Sequence, residues 1–327
     1  MIKKRKLGKS DLHVSEIGLG GWQLGAPVQI NNKPGTSFGG LDEDTAYRII
    51  TTALELGVTT FDTADIYSLG NSEIRLGNIL KDYRSDVQIF TKAGHVPGFP
   101  KWSIDYSYNH LISAIDRSLS RLQTDYVDLF QIHYPPNSEE DYVSIEKAFN
   151  SIKSDSKASY CGISVGIHYD KAIEIIKRGI VDCIQLYFTL IDPKPLETLL
   201  PLAKKNNIGI IVAEPLAQGF LTNKYKPGHV FPNDDIRHHA YPNELLQLKL
   251  ERSKQFEFLQ NSNRSLSQAS LAYILSREEI STCIPGVKSL EQLNSNVNAS
   301  TIRLSSDELK KISIIQNNWK EGFSKMG

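Results

Sequence analysis

The sequence predicts an α/β protein whose parallel sheet closes into a (β/α)8 TIM barrel, preceded by a short N-terminal β-hairpin. Three observations carry this expectation. Eight short apolar runs read as strands, and most are followed by a segment of helical periodicity. At 327 residues the chain falls within the size range of a single barrel. No break in composition, low-complexity linker or repeat beyond the βα unit divides it, so residues 1–327 are expected to form one domain. A doubly wound open sheet is the structural alternative, but no Gly-x-Gly-x-x-Gly turn joins a strand to a helix as that fold requires for a dinucleotide.

Taken in order, residues 5–16 alternate and turn at Gly8-Lys-Ser-Asp11, which predicts the hairpin. Glu16-Ile-Gly-Leu-Gly-Gly-Trp22 reads as a first strand entering a glycine turn, and the Gly-, Pro- and Asn-rich segment 24–40 as a mobile loop. Asp42 caps a helix that stops at Gly57. Strands at 58–62, 87–92, 127–133, 160–164, 182–188 and 208–213 then alternate with helices near 71–83, 107–122, 141–154, 168–178 and 195–206. A long polar loop precedes helical stretches near 243–260 and 265–276, a final strand at 280–284 and a helix at 289–298. The capping box Ser305-Ser-Asp-Glu308 opens the last helix.

Composition narrows the function. Lys+Arg and Asp+Glu are balanced at 37 each, so no basic field for nucleic acid or acidic membranes is implied. Cys161, Cys183 and Cys283 are widely separated, lack metal-ligand spacing and sit in apolar runs, which reads as reduced core thiols and no metal site. The basic start Met-Ile-Lys-Lys-Arg-Lys has no apolar signal core after it. No run approaches the roughly 18 apolar residues of a membrane span, so a cytoplasmic protein is expected.

In a barrel the chemistry collects at the carboxyl ends of the strands. Those exits carry Asp62 with Tyr67, Lys92, His133, Ser164, Gln185, Glu214 and Lys288. Singly, Asp62 reads as a strand terminator, Lys92 as a snorkelling surface cation and His133 as a strand-end residue. Together, an ammonium at Lys92 would need Asp62 as its partner. Tyr67 beside that ammonium would have its pKa lowered and would act as a general acid, and a neutral His133 would orient a carbonyl oxygen. After the last strand, Ile284-Pro-Gly-Val-Lys-Ser289 is a glycine turn opening a helix with a cation nearby, a good anion site, although Ser289-Leu-Glu-Gln292 is equally an ordinary capping box.

Phe61-Asp-Thr-Ala-Asp-Ile-Tyr67, Thr91-Lys92, Ser118-Leu-Ser-Arg-Leu-Gln-Thr-Asp-Tyr-Val-Asp128 and Gln131-Ile-His133 occur in the order of the aldo-keto reductase signatures. The chain resembles that family over nearly its whole length. The resemblance implies a catalytic tetrad of Asp62, Tyr67, Lys92 and His133, with Tyr67 protonating a carbonyl oxygen while NADPH delivers hydride to the carbon. It implies that Gly21 and Trp22 border the nicotinamide and that Ser164 and Gln185 fix its carboxamide. Phe188 would stack on the ring, with Val165 standing where the family commonly has an amide-binding asparagine. Pro215, Leu216, Gln218, Gly219 and Leu221 would belong to a pyrophosphate loop, and the segment 222–242 would fold over the cofactor. Gly286, Lys288 and Ser289 would grip the 2'-phosphate, with Gln292 and Asn296 near the adenine.

The expected activity is NADPH-dependent reduction of small-molecule aldehydes or ketones, with no nucleic-acid or membrane partner. Two alternatives stand beside it: a sugar or polyol dehydrogenase working in the oxidative direction, and a cofactor-binding regulatory subunit such as the channel-associated members of the family. Trp22, Phe99, Trp102 and Tyr134 are candidates for the substrate wall, and the chain's early end at Met326-Gly327 suggests an open pocket.

Overall fold

Alternation in a strand sorts side chains onto two faces, so the fold is understood by finding what each face meets. The computed structural model describes residues 2–26, 29–30, 33–34, 40–96, 103–232, 235, 237–238 and 241–324. Its main sheet has eight parallel strands in chain order: β1 (Leu19–Gly20), β2 (Thr60–Asp62), β3 (Gln88–Ala93), β4 (Val127–Ile132), β5 (Ala158–Gly166), β6 (Cys183–Tyr187), β7 (Gly209–Ala213) and β8 (Ile280–Cys283). Parallel bridges Ile17↔Cys283 and Gly20↔Gly286 join the first and last strands, closing the predicted barrel.

The inner face divides into two ends. Toward the amino ends of the strands, Phe90, Leu129, Cys183 and Ile211 pack with Leu7 and Val14 in one apolar cluster. Leu7 and Val14 come from the antiparallel hairpin Lys4–Lys6 with His13–Ser15, which therefore plugs the bottom of the barrel. Arg5 ties this plug to the last strand. Its guanidinium donates to the carbonyls of Leu275, Arg277 and Ile280 and pairs with Glu16. Toward the carboxyl ends the inner face turns polar, with Asp62, Lys92, Gln131, Ser164 and Gln185 in neighbouring register.

The outer face meets the helices α1 (Glu43–Glu55), α2 (Asn71–Leu80), α3 (Tyr108–Leu122), α4 (Glu139–Ser154), α5 (Tyr169–Arg178) and α6 (Leu199–Lys205). Two more, α7 (Asn243–Lys254) and α8 (Leu266–Leu275), lie between β7 and β8. The chain ends with α9 (Leu290–Asn298) and α10 (Ser306–Ser324). Local chemistry sets their starts. The Asp42 side chain accepts the Thr45 amide, Ser138 with Asp141 and Ser265 with Gln268 form capping boxes, and Ser305 with Glu308 forms the one expected from sequence. Within the expected loop 24–40, Gln29–Ile30 and Lys33–Pro34 pair antiparallel. A second small pair, His95–Val96 with Ser103–Ile104, follows β3 and was not anticipated. Phe99, Trp102 and the terminal Met326-Gly327 lie outside the described residues.

All three cysteines are buried and free. Among the described residues no helix is long and apolar enough to cross a membrane, and no group of His, Cys, Asp and Glu is arranged to hold a metal ion.

The plug depends on Gly8. Its φ is +55°, and a Cβ there would lie 2.2 Å from the Gly209 nitrogen and 2.6 Å from the Asn207 oxygen. Gly8→Ala is expected to destabilise the fold by about 2 kcal/mol or more, combining the left-handed backbone penalty with displacement of the hairpin. Urea denaturation checks this, and an unchanged midpoint would show that the hairpin is not seated on β7.

Candidate active site

The polar end of the barrel is assembled around one buried ion pair. Asp62 closes β2 and is 2% exposed, and Lys92 on β3 is fully buried. The Lys92 ammonium donates to Asp62 Oδ1 at 2.5 Å, to the Thr63 carbonyl at 2.9 Å and to the Tyr67 hydroxyl at 3.3 Å. Asp62 Oδ2 accepts from Gln185 Nε2 at 2.8 Å and from Gln131 Nε2 at 3.4 Å. The ammonium thus spends its three donors, and both carboxylate oxygens are occupied.

Tyr67 follows β2 in a tight turn in which Ser68 and Leu69 adopt φ of 49° and 55°. Left-handed backbone costs a non-glycine residue roughly 1–2 kcal/mol, so the turn is held by its surroundings rather than by preference. The Tyr67 ring packs edge-on against Trp22, with centroids 4.9 Å apart, and against His133 at 5.5 Å.

Burial governs the ionisation of these groups. It pushes the Tyr67 phenol well above its ordinary value, with the carboxylates of Asp62, Glu214 and Asp65 adding to the effect. The sequence-based expectation that Lys92 would lower this pKa is therefore corrected: the ammonium is neutralised by Asp62, and the loss of water dominates. Burial also lowers Lys92, against the attraction of Asp62. His133 falls well below its ordinary value through burial and then the charges of Lys92 and His95. Phenol and imidazole are both neutral near pH 7.

Asp62, Tyr67 and His133 line a cavity of ≈ 710 Å³ that runs across the carboxyl ends of the strands. Gly21, Trp22, Ser164 and Gln185 line it as well, with Pro215, Leu216, Gln218 and Gly219 following β7 and Gly286, Lys288, Gln292 and Asn296 following β8. Lys92 reaches it only through the Tyr67 hydroxyl, and three of the expected cofactor contacts do not face it. Phe188 is fully buried outside the barrel, its ring 5.9 Å from Tyr273 on α8. The inward residue is Tyr187, because Gln185 points inward and strand residues two apart share a face. Leu221 is likewise buried in the outer core, and Ser289 caps α9 by accepting the Gln292 amide. Val165 is buried in the outer core, while Gly166 reaches the cavity after a register shift in β5.

Several lining residues escaped the sequence. Tyr187 was available from the parity of Gln185. Lys224, Tyr225 and Arg237 come from the irregular segment after β7, where no periodicity indicates direction. There Arg237 is held by Asp235, the Gln218 carbonyl and the Tyr225 hydroxyl, which brings it beside Lys288 in a basic cluster. Glu214, a noted strand exit, accepts both hydrogen bonds of the Gln218 amide.

Comparison with known proteins places this geometry. The model of the Aldo/keto reductase family matches residues 16–317. An uncharacterised oxidoreductase of Bacillus subtilis is 32% identical, covering 99% of both chains. L-galactose dehydrogenase of Arabidopsis thaliana is also 32% identical, covering 92% of this chain and 88% of its own. Among solved structures, a holo-form aldo-keto reductase from Bacillus halodurans superimposes with a TM-score of 0.79 at 31% identity, covering 96% of each chain.

One further group beside the site titrates. Asp65, two residues before Tyr67, has a buried Oδ1 with no hydrogen-bond partner. Burial, reinforced by the Glu73 carboxylate and opposed by Arg121 and Arg117, pushes it up to about 7 from 3.8. Between these values the folded chain holds a proton that the unfolded chain has released, so this residue's stability contribution is greatest at low pH and is lost as pH rises toward 7. Asp65→Asn is expected to raise the urea midpoint at pH 8 and to leave it unchanged near pH 4. Equal shifts at both pH values would contradict a raised Asp65.

Proposed function

The chain belongs to the aldo/keto reductase family of NAD(P)H-dependent oxidoreductases acting on carbonyl and alcohol groups, and we propose that it reduces aldehydes or ketones with NADPH, Tyr67 donating the proton. One observation carries the proposal: a neutral phenol, an ammonium in contact with its oxygen, and a neutral imidazole converge on one cavity.

The residues present fit the cofactor. Gln185 commits its amide nitrogen to Asp62, which leaves its oxygen to accept from a carboxamide, beside Ser164. Tyr187, the next inward position along β6, offers an aromatic face to the same cavity. Gln218 Oε1 is buried without a hydrogen-bond partner, and Gly219 keeps the wall open where a Cβ would come within 2.9 Å of the Tyr225 hydroxyl. Lys224, Arg237 and Lys288 form the basic end that suits phosphate, close to the start of α9. Bound there, NADPH would supply hydride to a carbonyl carbon.

The chain's own part is proton chemistry and orientation. His133 donates to the carbonyl oxygen and holds it within reach of Tyr67. Tyr67 gives its proton to that oxygen as negative charge develops. The ammonium of Lys92 stabilises the phenolate left behind, and Asp62, anchored by Gln131 and Gln185, keeps the ammonium charged and in place. The oxidative alternative has one observation in its favour, the similarity to a protein named L-galactose dehydrogenase. Oxidation would need Tyr67 as a base, a form that burial of the phenol keeps scarce near neutral pH.

Tyr67→Phe is expected to lower kcat about 10²–10⁴-fold, the range of positioned general acids, without loss of NADPH binding measured by protein fluorescence. Equal turnover by both proteins would reject Tyr67 as the donor. Lys288→Ala is expected to raise the KM for NADPH roughly tenfold, as loss of a charge-assisted hydrogen bond predicts, while shifting that for NADH about twofold or less. Parallel steady-state titrations with the two cofactors decide this, and equal shifts would argue against contact with a 2'-phosphate.

A further inference from the structure

Beyond the four residues discussed above, a second imidazole enters the cavity wall. β3 ends at Ala93, and Gly94, with φ of +113°, turns the chain so that His95 lines the cavity. A side chain at Gly94 would meet the Tyr106 ring at 2.9 Å, so the turn depends on glycine. Pairing of His95 with Ile104 fixes the backbone beyond it. The His95 ring packs edge-on to His133, with centroids 5.0 Å apart and planes at 72°, and lies 5.9 Å from the Tyr134 ring.

The hydrogen-bonding inventory singles this residue out. Nδ1 of His95 is buried and has no hydrogen-bond partner, and the same is true of Nδ1 of His133. A buried N–H without an acceptor is rarer and more costly than a buried unshared acceptor, so in each ring the proton belongs on Nε2. Burial lowers the pKa of both rings, which keeps them in the neutral form this assignment requires. Neighbouring donors are already engaged. The Tyr134 hydroxyl and His168 Nε2 are hydrogen-bonded at 2.7 Å, and the amide nitrogens of Gln131 and Gln185 both serve Asp62. Two adjacent imidazoles thus present donors to one cavity.

We propose that His95 is a specificity-determining residue: its Nε2–H donates to an oxygen on the carbon next to the reacting carbonyl, so that 2-hydroxyaldehydes and 2-oxoaldehydes are selected over unsubstituted aldehydes. The assignment rests on the reductase reading above, in which His133 holds the carbonyl oxygen. A substrate oxygenated on adjacent carbons satisfies both rings, whereas one lacking the second oxygen leaves His95 facing apolar substrate. Because His95 adjoins open cavity rather than sealed core, the discrimination expected is that of an ordinary hydrogen bond, about tenfold.

The test uses the full chain with NADPH and compares kcat/KM for 2-hydroxypropanal, 2-oxopropanal and propanal in wild type, His95→Phe and His95→Gln. Wild type should favour the two oxygenated substrates by about tenfold. The phenylalanine variant should lose that preference, its kcat/KM ratio of oxygenated substrate to propanal falling to about one, and the glutamine variant, which keeps a side-chain donor, should retain part of it. Absence of a preference in wild type, or an equal loss on all three substrates in His95→Phe, overturns the assignment. Turnover of none of the three by NADPH-bound wild type would instead bring down the reductase reading, and this inference with it.

Discussion

The ion pair between Asp62 and Lys92 is the constraint on which the upper half of the barrel depends. Removing two charges from water costs several kcal/mol each, and a buried pair survives only where its remaining valences are satisfied. Here that requires Thr63 and Tyr67 on one side and Gln131 and Gln185 on the other. These groups come from β2 and the turn after it, β4 and β6, so the pair is complete only when those strands stand in register. A slip of one residue would send Lys92 into the apolar shell and bring Thr91 inward. Strand register and active-site geometry are therefore the same condition.

The opposite face of β3 is fixed by a second polar group. Thr91 donates to Glu73 Oε1 at 2.5 Å, and Arg121 Nε donates to Glu73 Oε2 at 2.6 Å. Adjacent residues of one strand thus anchor in opposite directions, Thr91 to α2 and through it α3, and Lys92 to the barrel interior. The Lys92 carbonyl also accepts the Asp65 amide, at 3.0 Å, which seats the turn carrying Tyr67. Burial of this assembly keeps the phenol protonated and the imidazole uncharged. Their neutrality follows from packing as much as from the nearby charges.

Much of this was legible in the sequence because it rests on repetition. Strand and helix periodicity located the barrel within a few residues at most boundaries, and the four separated motifs delivered Asp62, Tyr67, Lys92 and His133 to strand exits. Family resemblance points to Phe188 as the stacking aromatic, whereas the parity of Gln185 along β6 places Tyr187 on the inner face. The direction of the Tyr67 shift is not legible in the sequence, which shows the charges near the phenol but not how much water is excluded from it. Lys224, Tyr225 and Arg237 follow β7 and His95 stands in the short strand pair after β3, outside the βα alternation, where backbone direction is set by tertiary contacts such as Arg237 with Asp235 and by single glycines such as Gly94.

That division has a physical consequence for how the site can vary. A change at Asp62 or Lys92 strands a buried charge, typically at a cost of about 3–5 kcal/mol, and also unseats the glutamines that bridge the strands. The floor is thereby tied to the stability of the fold. The rim is not: Tyr134 is 41% exposed, and His95 and Lys224 stand in segments outside the barrel strands. Replacing such a residue changes the lining of the cavity while leaving every barrel strand paired. The buried ion pair is consequently held constant by the barrel, and variation in the cavity's lining falls to residues that the barrel does not need.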